Sequence, residues 1–234
     1  MAGRSGTSGR SGKGGKAPPR LPAEPDLPDA LKAASLPASD LHHGAVRELL
    51  AYADIDLSGR EAGGAEIEAC TFARVNLSQG KLRRALIRDV RFERCDLANL
   101  RALDSALTRV AVLGSRMTGL ALLDDSLRDV RFEGCRIDMS SFRMCKFDDV
   151  LFTGCRMEQA DFTEADLRGA RFEECNLTGA QFSGARMTGT RFARCELTEI
   201  TGVTSMRGAV ITSGDAVTLA YILANALGIA IEDE

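Results

Sequence analysis

Tryptophan is absent from this chain, and tyrosine and histidine occur only twice each. Both histidines, His42 and His43, lie near the N-terminus, so the serines and cysteines of the rest of the chain lack the base that triad chemistry needs. As a pair they could ligate a metal, but a partly exposed pair at a helix start is the better account. Neither G-x-x-x-x-G-K-[ST] nor G-x-G-x-x-G occurs, which removes the usual phosphate cradles. No apolar run approaches the 18 residues of a spanning helix, so a soluble protein is expected. The basic N-terminus is not followed by an apolar core, so a secretory signal is not expected either, and a cytoplasmic location is. In that setting the seven cysteines are expected as reduced thiols.

An excess charge of one sign is also missing where it would matter. Net charge is −3, but residues 1–20 carry five basic and no acidic residues. Residues 55–199 carry 22 basic and 23 acidic residues and are nearly neutral. That balance excludes a phosphate-like surface over the central region.

What the chain does have is a period of five. Every fifth residue from Leu57 to Leu197 is apolar, through all 29 positions, and all ten phenylalanines fall in this register. Two residues earlier, 24 of 29 positions hold Ala, Cys, Val, Ser, Thr or Gly. Neither a helix nor a flat strand has this period. A chain that turns a corner every five residues does, with one small and one large side chain inward per side. Four sides close a 20-residue coil, and stacked coils pair as parallel strands about 4.8 Å apart. The 20-residue spacing is independently visible in Val90–Cys95, Val130–Cys135 and Ala170–Cys175, where Arg-Phe-Glu recurs at one place. Phe72, Phe92, Phe132, Phe152, Phe172 and Phe192 are predicted to stack as one interior ladder, broken at Val112. Cys95, Cys135, Cys155, Cys175 and Cys195 form another, broken at Ser115; buried small residues explain them better than a metal site, whose ligands must converge.

The quintets Ala165-Asp166-Leu167-Arg168-Gly169, Cys95-Asp96-Leu97-Ala98-Asn99 and Cys175-Asn176-Leu177-Thr178-Gly179 resemble the A(D/N)Lxx repeat of the pentapeptide-repeat family, over about residues 55 to 200. The resemblance implies an all-β fold, a right-handed quadrilateral β-helix with short flanking helices. For function it is much less specific.

Four segments follow. Residues 1–27 form a disordered Gly/Ser/Pro-rich basic tail. It could touch nucleic acid or acidic lipid weakly, and a solubilising tail is the simpler account. Residues 28–54 form a helical cap over the first coil, with a helix from about Asp40 to Ala53 and Ser39 as N-cap. Residues 55–204 are the β-helix. Residues 205–234 hold an edge strand, a helix from about Asp215 to Leu227 stopped by Gly228, and an acidic tail. That last helix is apolar nearly all round. It resembles the C-terminal helix through which quinolone-resistance pentapeptide-repeat proteins pair. The resemblance implies a homodimer, with Leu219, Tyr221, Ile222, Leu223 and Leu227 as contacts.

Around residues 100–125 the pattern breaks. Leu100, Leu120 and Asp125 enter the small column, Ala102 and Val112 underfill the large one, and Leu103, Leu113 and Leu123 take outward positions. Leu103, Leu113, Leu123 and Met144 are the candidate interaction surface; the alternative is a bulged coil with these leucines folded inward. Arg91 with Glu93, Arg131 with Glu133 and Arg171 with Glu173 make a mixed charge ladder on one outer side, read as a recognition stripe or, more simply, a solvated face. Paired carboxylates occur at Asp124-Asp125 and Asp148-Asp149, but adjacent residues point to different sides, so no shared acid–base site is implied. No catalytic residue, cofactor or metal is expected. The chain reads as a non-enzymatic module that binds another protein. The resemblance adds an alternative, a DNA-mimicking protector of a type II topoisomerase (gyrase).

Overall fold

The computed structural model describes residues 20–230. They form a parallel β-solenoid of about nine turns with one short helix, Ala216–Ala226, at the C-terminal end. Pairing follows the predicted register: Phe72 lies beside Phe92, Phe92 beside Val112, and Val112 beside Phe132, each 20 residues on.

The corners explain the period. In one coil they are Asp89 (φ 54°), Arg94 (53°), Asn99 (56°) and Asp104 (54°), all left-handed. A left-handed L residue costs on the order of 1–2 kcal/mol. The turn places its N–H against the next coil, as Arg94 N–H donates to the Leu113 carbonyl at 2.9 Å. Between corners four residues remain, enough to send two side chains in and two out. The walls can be named from this coil: the first holds 85–88, the second 90–93, the third 95–98 and the fourth 100–103. Strands such as Leu86–Glu93 bend at a corner and serve the first two walls in one 11-stranded sheet. On the fourth wall Lys81–Arg83, Arg101–Leu103 and Ala121–Leu123 pair as a separate three-stranded sheet.

The small column is polar as well as small for a reason. Cys95 Sγ donates to the Phe72 carbonyl at 3.3 Å, and Cys135, Cys175 and Cys195 reach the carbonyls of Val112, Phe152 and Phe172 in the same way. Ser115 Oγ instead accepts the Cys95 N–H at 3.0 Å. Backbone groups at the coil's inner corners thus find partners without water.

The N-terminal end departs from expectation. The helix predicted over 40–53 is absent; Val46–Glu48 and Leu50–Ala53 are strands that pair with Glu66–Ala73. Helix propensity loses because the first coil would otherwise leave an open edge of backbone donors and acceptors. Tyr52 also extends the aromatic ladder by one coil, stacking on Phe72 at 4.5 Å while its hydroxyl donates to the Ser39 carbonyl at 2.9 Å. Lys32–Ala33 then covers Leu50–Ala51 in turn, so the end is closed by progressively shorter strands.

Residues 20–26 also differ from the predicted tail: they lie bonded along the second wall. Residues 1–19 of that tail, and the last four residues of the acidic end, lie outside the described residues.

The C-terminal helix forms where predicted, and Gly228 (φ 70°) follows it as the left-handed stop. At its start Thr212 Oγ1 donates to Asp215 Oδ2, which also accepts the Arg194 N–H at 3.0 Å, tying the helix to the last full coil.

Candidate interaction surfaces

The irregular stretch keeps its register. Leu100 fills the small column beside Ala102 in the large one, so the two volumes are exchanged and no bulge is needed; both are buried. Leu103 and Leu123 therefore point outward, paired in adjacent coils of the fourth wall, with Leu103 36% exposed. Arg83 pairs with Leu103 on one side, and Met144, a corner residue in the next coil, is exposed close by in the chain path. Leu113 is not part of this patch. It is ten residues from both leucines, half a coil, and so stands on the second wall between Glu93 and Glu133.

The C-terminal helix has two sides. Leu219 is buried, and Ile222 and Leu223 pack partly against the solenoid core. Leu219 is thus packed against its own chain. Tyr221 (55% exposed) and Leu227 remain open to solvent, together with Val217 and Ile229.

The charge ladder is not a bare solvated face. Arg131 pairs with Glu24 at 2.5 Å as well as lying 3.8 Å from Glu133, and Arg171 Nη2 donates to the Arg20 carbonyl at 2.5 Å. Arg20 in turn meets Asp129 at 2.6 Å. The N–H groups of Ala23 and Asp26 donate to Asp129 and Asp89, each at 2.9 Å. Sequence reasoning missed this segment; prolines at 19, 22, 25 and 28 were the available signal, a period of three that suits polyproline II.

Elsewhere opposite charges pair from coil to coil: Arg74 with Asp54 at 2.6 Å, Lys81 with Glu61 at 2.6 Å, Arg116 with Asp96 at 2.9 Å, Arg194 with Glu174 at 2.7 Å. Asp124 is exposed and Asp125 buried, so these neighbouring carboxylates do point to different sides. Asp125 Oδ1 accepts the Ser105 N–H at 2.6 Å, while Oδ2 is buried without a partner. Burial pushes this carboxyl up to about 7; the Ser105 N–H opposes the rise and the charges of Asp104 and Asp124 add to it.

All seven cysteines are free and buried. Burial pushes Cys145 up to about 12 and Cys195 up to about 11, which makes both poor nucleophiles. No cluster of metal-ligating side chains occurs among the described residues. His42 and His43 are exposed on a loop, where Arg47 Nη2 lies 3.2 Å from His42 Nε2. Among the described residues no helix is long and apolar enough to cross a membrane.

Stacked four-sided coils of five-residue sides define a parallel β-solenoid of the pentapeptide-repeat kind. Residues 125–201 match the family model of the pentapeptide repeat region. None of the curated proteins matches the chain. Among solved structures it is similar to trypsin-treated QnrB1, a plasmid-mediated fluoroquinolone resistance protein, at 18% identity over 80% of this chain and 100% of that one, with a TM-score of 0.36. It is also similar to HetL, a pentapeptide repeat protein involved in heterocyst differentiation regulation from the cyanobacterium Nostoc sp. strain PCC 7120. There identity is 16% over 74% of this chain and 90% of that one, with a TM-score of 0.31.

Proposed function

We propose that this protein is a non-enzymatic interaction module, a rod that presents its fourth wall to another protein. The observation that supports this reading is the Leu103–Leu123 pair. Two leucines stand outward side by side in regular coils, on a wall whose neighbouring outward positions are Lys81, Arg83, Arg101 and Arg143, with Ala121 and Ser141 between them. An apolar spot rimmed by charge is the usual anatomy of a contact surface. The cytoplasm is its place in this reading, since seven free thiols suit a reducing compartment. The test is a Leu103→Asp/Leu123→Asp double variant. It should keep the wild-type melting temperature yet lose the partner that the wild type recovers from its native host. Equal recovery by both proteins would refute the assignment of this wall.

The exposed side of the C-terminal helix supports a homodimer through Tyr221 and Leu227. Light scattering of the wild type at micromolar concentration should give twice the chain mass, and Tyr221→Asp should give one. A wild type of single mass rejects the dimer. Topoisomerase protection by DNA imitation is the second reading, and the coil-to-coil ion pairs weaken it, because they neutralise the rod where a DNA mimic needs a negative one.

A further inference from the structure

We propose that the second wall is a docking site for an extended peptide with proline at every third residue, and that residues 20–31 of this chain occupy it in cis.

Two lengths agree. Asp89 and Asp129 stand at the same corner, 40 residues and therefore two coils apart, about 9.6 Å at the spacing of paired strands. The amides they accept belong to Ala23 and Asp26, three residues apart. One turn of polyproline II is three residues and about 9.3 Å. The peptide thus presents one N–H per turn, in step with two carboxylates two coils apart, and Asp149, one coil further along the same corner, lies 3.9 Å from Arg20.

Proline placement fits the same geometry. Each bonding amide belongs to the residue directly after a proline, Pro22 before Ala23 and Pro25 before Asp26, so the ring fixes the backbone without removing a donor that the wall uses. Pro25 is itself buried. From the Arg20 carbonyl at Arg171 to the Asp26 amide at Asp89 the segment crosses four coil steps, about 19 Å, with six residues, which is close to the extended limit.

The wall is built to receive the peptide. Asp89 and Asp129 are 4% and 9% exposed, and Arg109 holds the Asp89 carboxylate in place through two hydrogen bonds of 2.5 and 2.6 Å. Arg131 meets the peptide acid Glu24, and Asp129 meets the peptide base Arg20, so the orientation is fixed by charge as well as by backbone. Ala111 and Leu151, in the same outward column as Arg131 and Arg171, are buried as core residues are. A tail that served only to close the first coil would have no need to reach Arg171.

A site filled in cis shows a weakened affinity for the same peptide in trans, by the fraction of time it stands open. The test uses the full chain and, as probe, a labelled synthetic peptide of residues 20–31. In the wild type, residues 20–31 should be protected from hydrogen exchange and the peptide should bind weakly. Arg20→Ala/Glu24→Ala should release the segment, with fast exchange there and an unchanged solenoid, and should bind the peptide at least about tenfold more tightly. Adding Asp129→Gly, which removes the carboxylate but suits the left-handed corner (φ 52°), should abolish that gain. A peptide of the same composition with its prolines out of the three-residue period should not bind. Fast exchange of the segment in the wild type, unchanged peptide affinity in the released variant, or equal binding of the shuffled peptide would each overturn the proposal.

Discussion

The two halves of the rod share one backbone and fill it differently. From Phe132 to Phe192 eight of the thirteen large inward positions are phenylalanine, the others Ile137, Met157, Leu167, Leu177 and Met187. Rings stack at 4.7 to 5.3 Å within columns, and the columns meet edge-on, as Phe162 meets Phe172 at 5.6 Å. From Leu57 to Leu127 the large column holds Leu, Ile, Val, Ala and Met117 with only two phenylalanines, Phe72 and Phe92, and an apolar void of about 60 Å3 runs beside Ala62, Ala102 and Val112. Coil dimensions are therefore set by the corners and the coil-to-coil hydrogen bonds, and side-chain volume adjusts within them. The family match, residues 125–201, falls on the aromatic half.

The largest expected difference between the halves is a ring deletion. Phe172 is fully buried between Phe152 and Phe192, at 5.0 Å from each, so Phe172→Ala should cost about 3–5 kcal/mol in denaturant melts. A cost below about 1 kcal/mol would mean that the aromatic half is as loosely filled as the other.

Next in size is Asp125, at the join. Its folded-state carboxyl is raised from about 3.8 to about 7, so the folded protein holds a proton that the unfolded chain has lost. Stability should therefore fall as pH rises from about 4 to about 7, by on the order of a few kcal/mol. Asp125→Ser keeps an acceptor for the Ser105 N–H, as Ser105 Oγ itself accepts the Ala85 N–H, and removes the buried charge. The variant should melt higher at pH 8 and show a flat profile across that window. A wild type whose stability does not fall over this range would place the charge in solvent.

The smallest effect tests whether the void is real. Val112 interrupts the ladder between Phe92 and Phe132, beside the empty volume. Val112→Phe should change stability by less than about 1.5 kcal/mol, in either direction, whereas overpacking a full core typically costs about 1–3 kcal/mol. A loss at the top of that range would show that the halves are equally tight.

These differences mark what the sequence could reveal. The interior was legible because each side chain's place follows from a count modulo five and a wall from a count modulo 20. Leu113 shows the arithmetic at work: ten residues from Leu103, it had to lie half a coil away. Tyr52 stands five residues before Leu57 in the same series, but its leucine-rich neighbours have helix propensity, and only the unpaired edge of Glu66–Ala73 decides against them. The peptide segment carries no apolar period at all. Its affinity comes from carboxylates and arginines that look like ordinary surface until the coils bring Asp89, Asp129, Arg131 and Arg171 onto one strip. Leu219 was legible as apolar, but the direction it faces depends on where the helix docks, which no local pattern states.

The cis segment also sets an order of events during synthesis. Arg20 leaves the ribosome before any of the coils, and its carbonyl rests on Arg171, 151 residues later. Coils can stack one upon another as they emerge, each needing only its predecessor. The segment cannot settle until the coil carrying Arg171 has formed. A segment made before the coils is thus placed after them, and until then the wall beneath it stands uncovered on every nascent molecule.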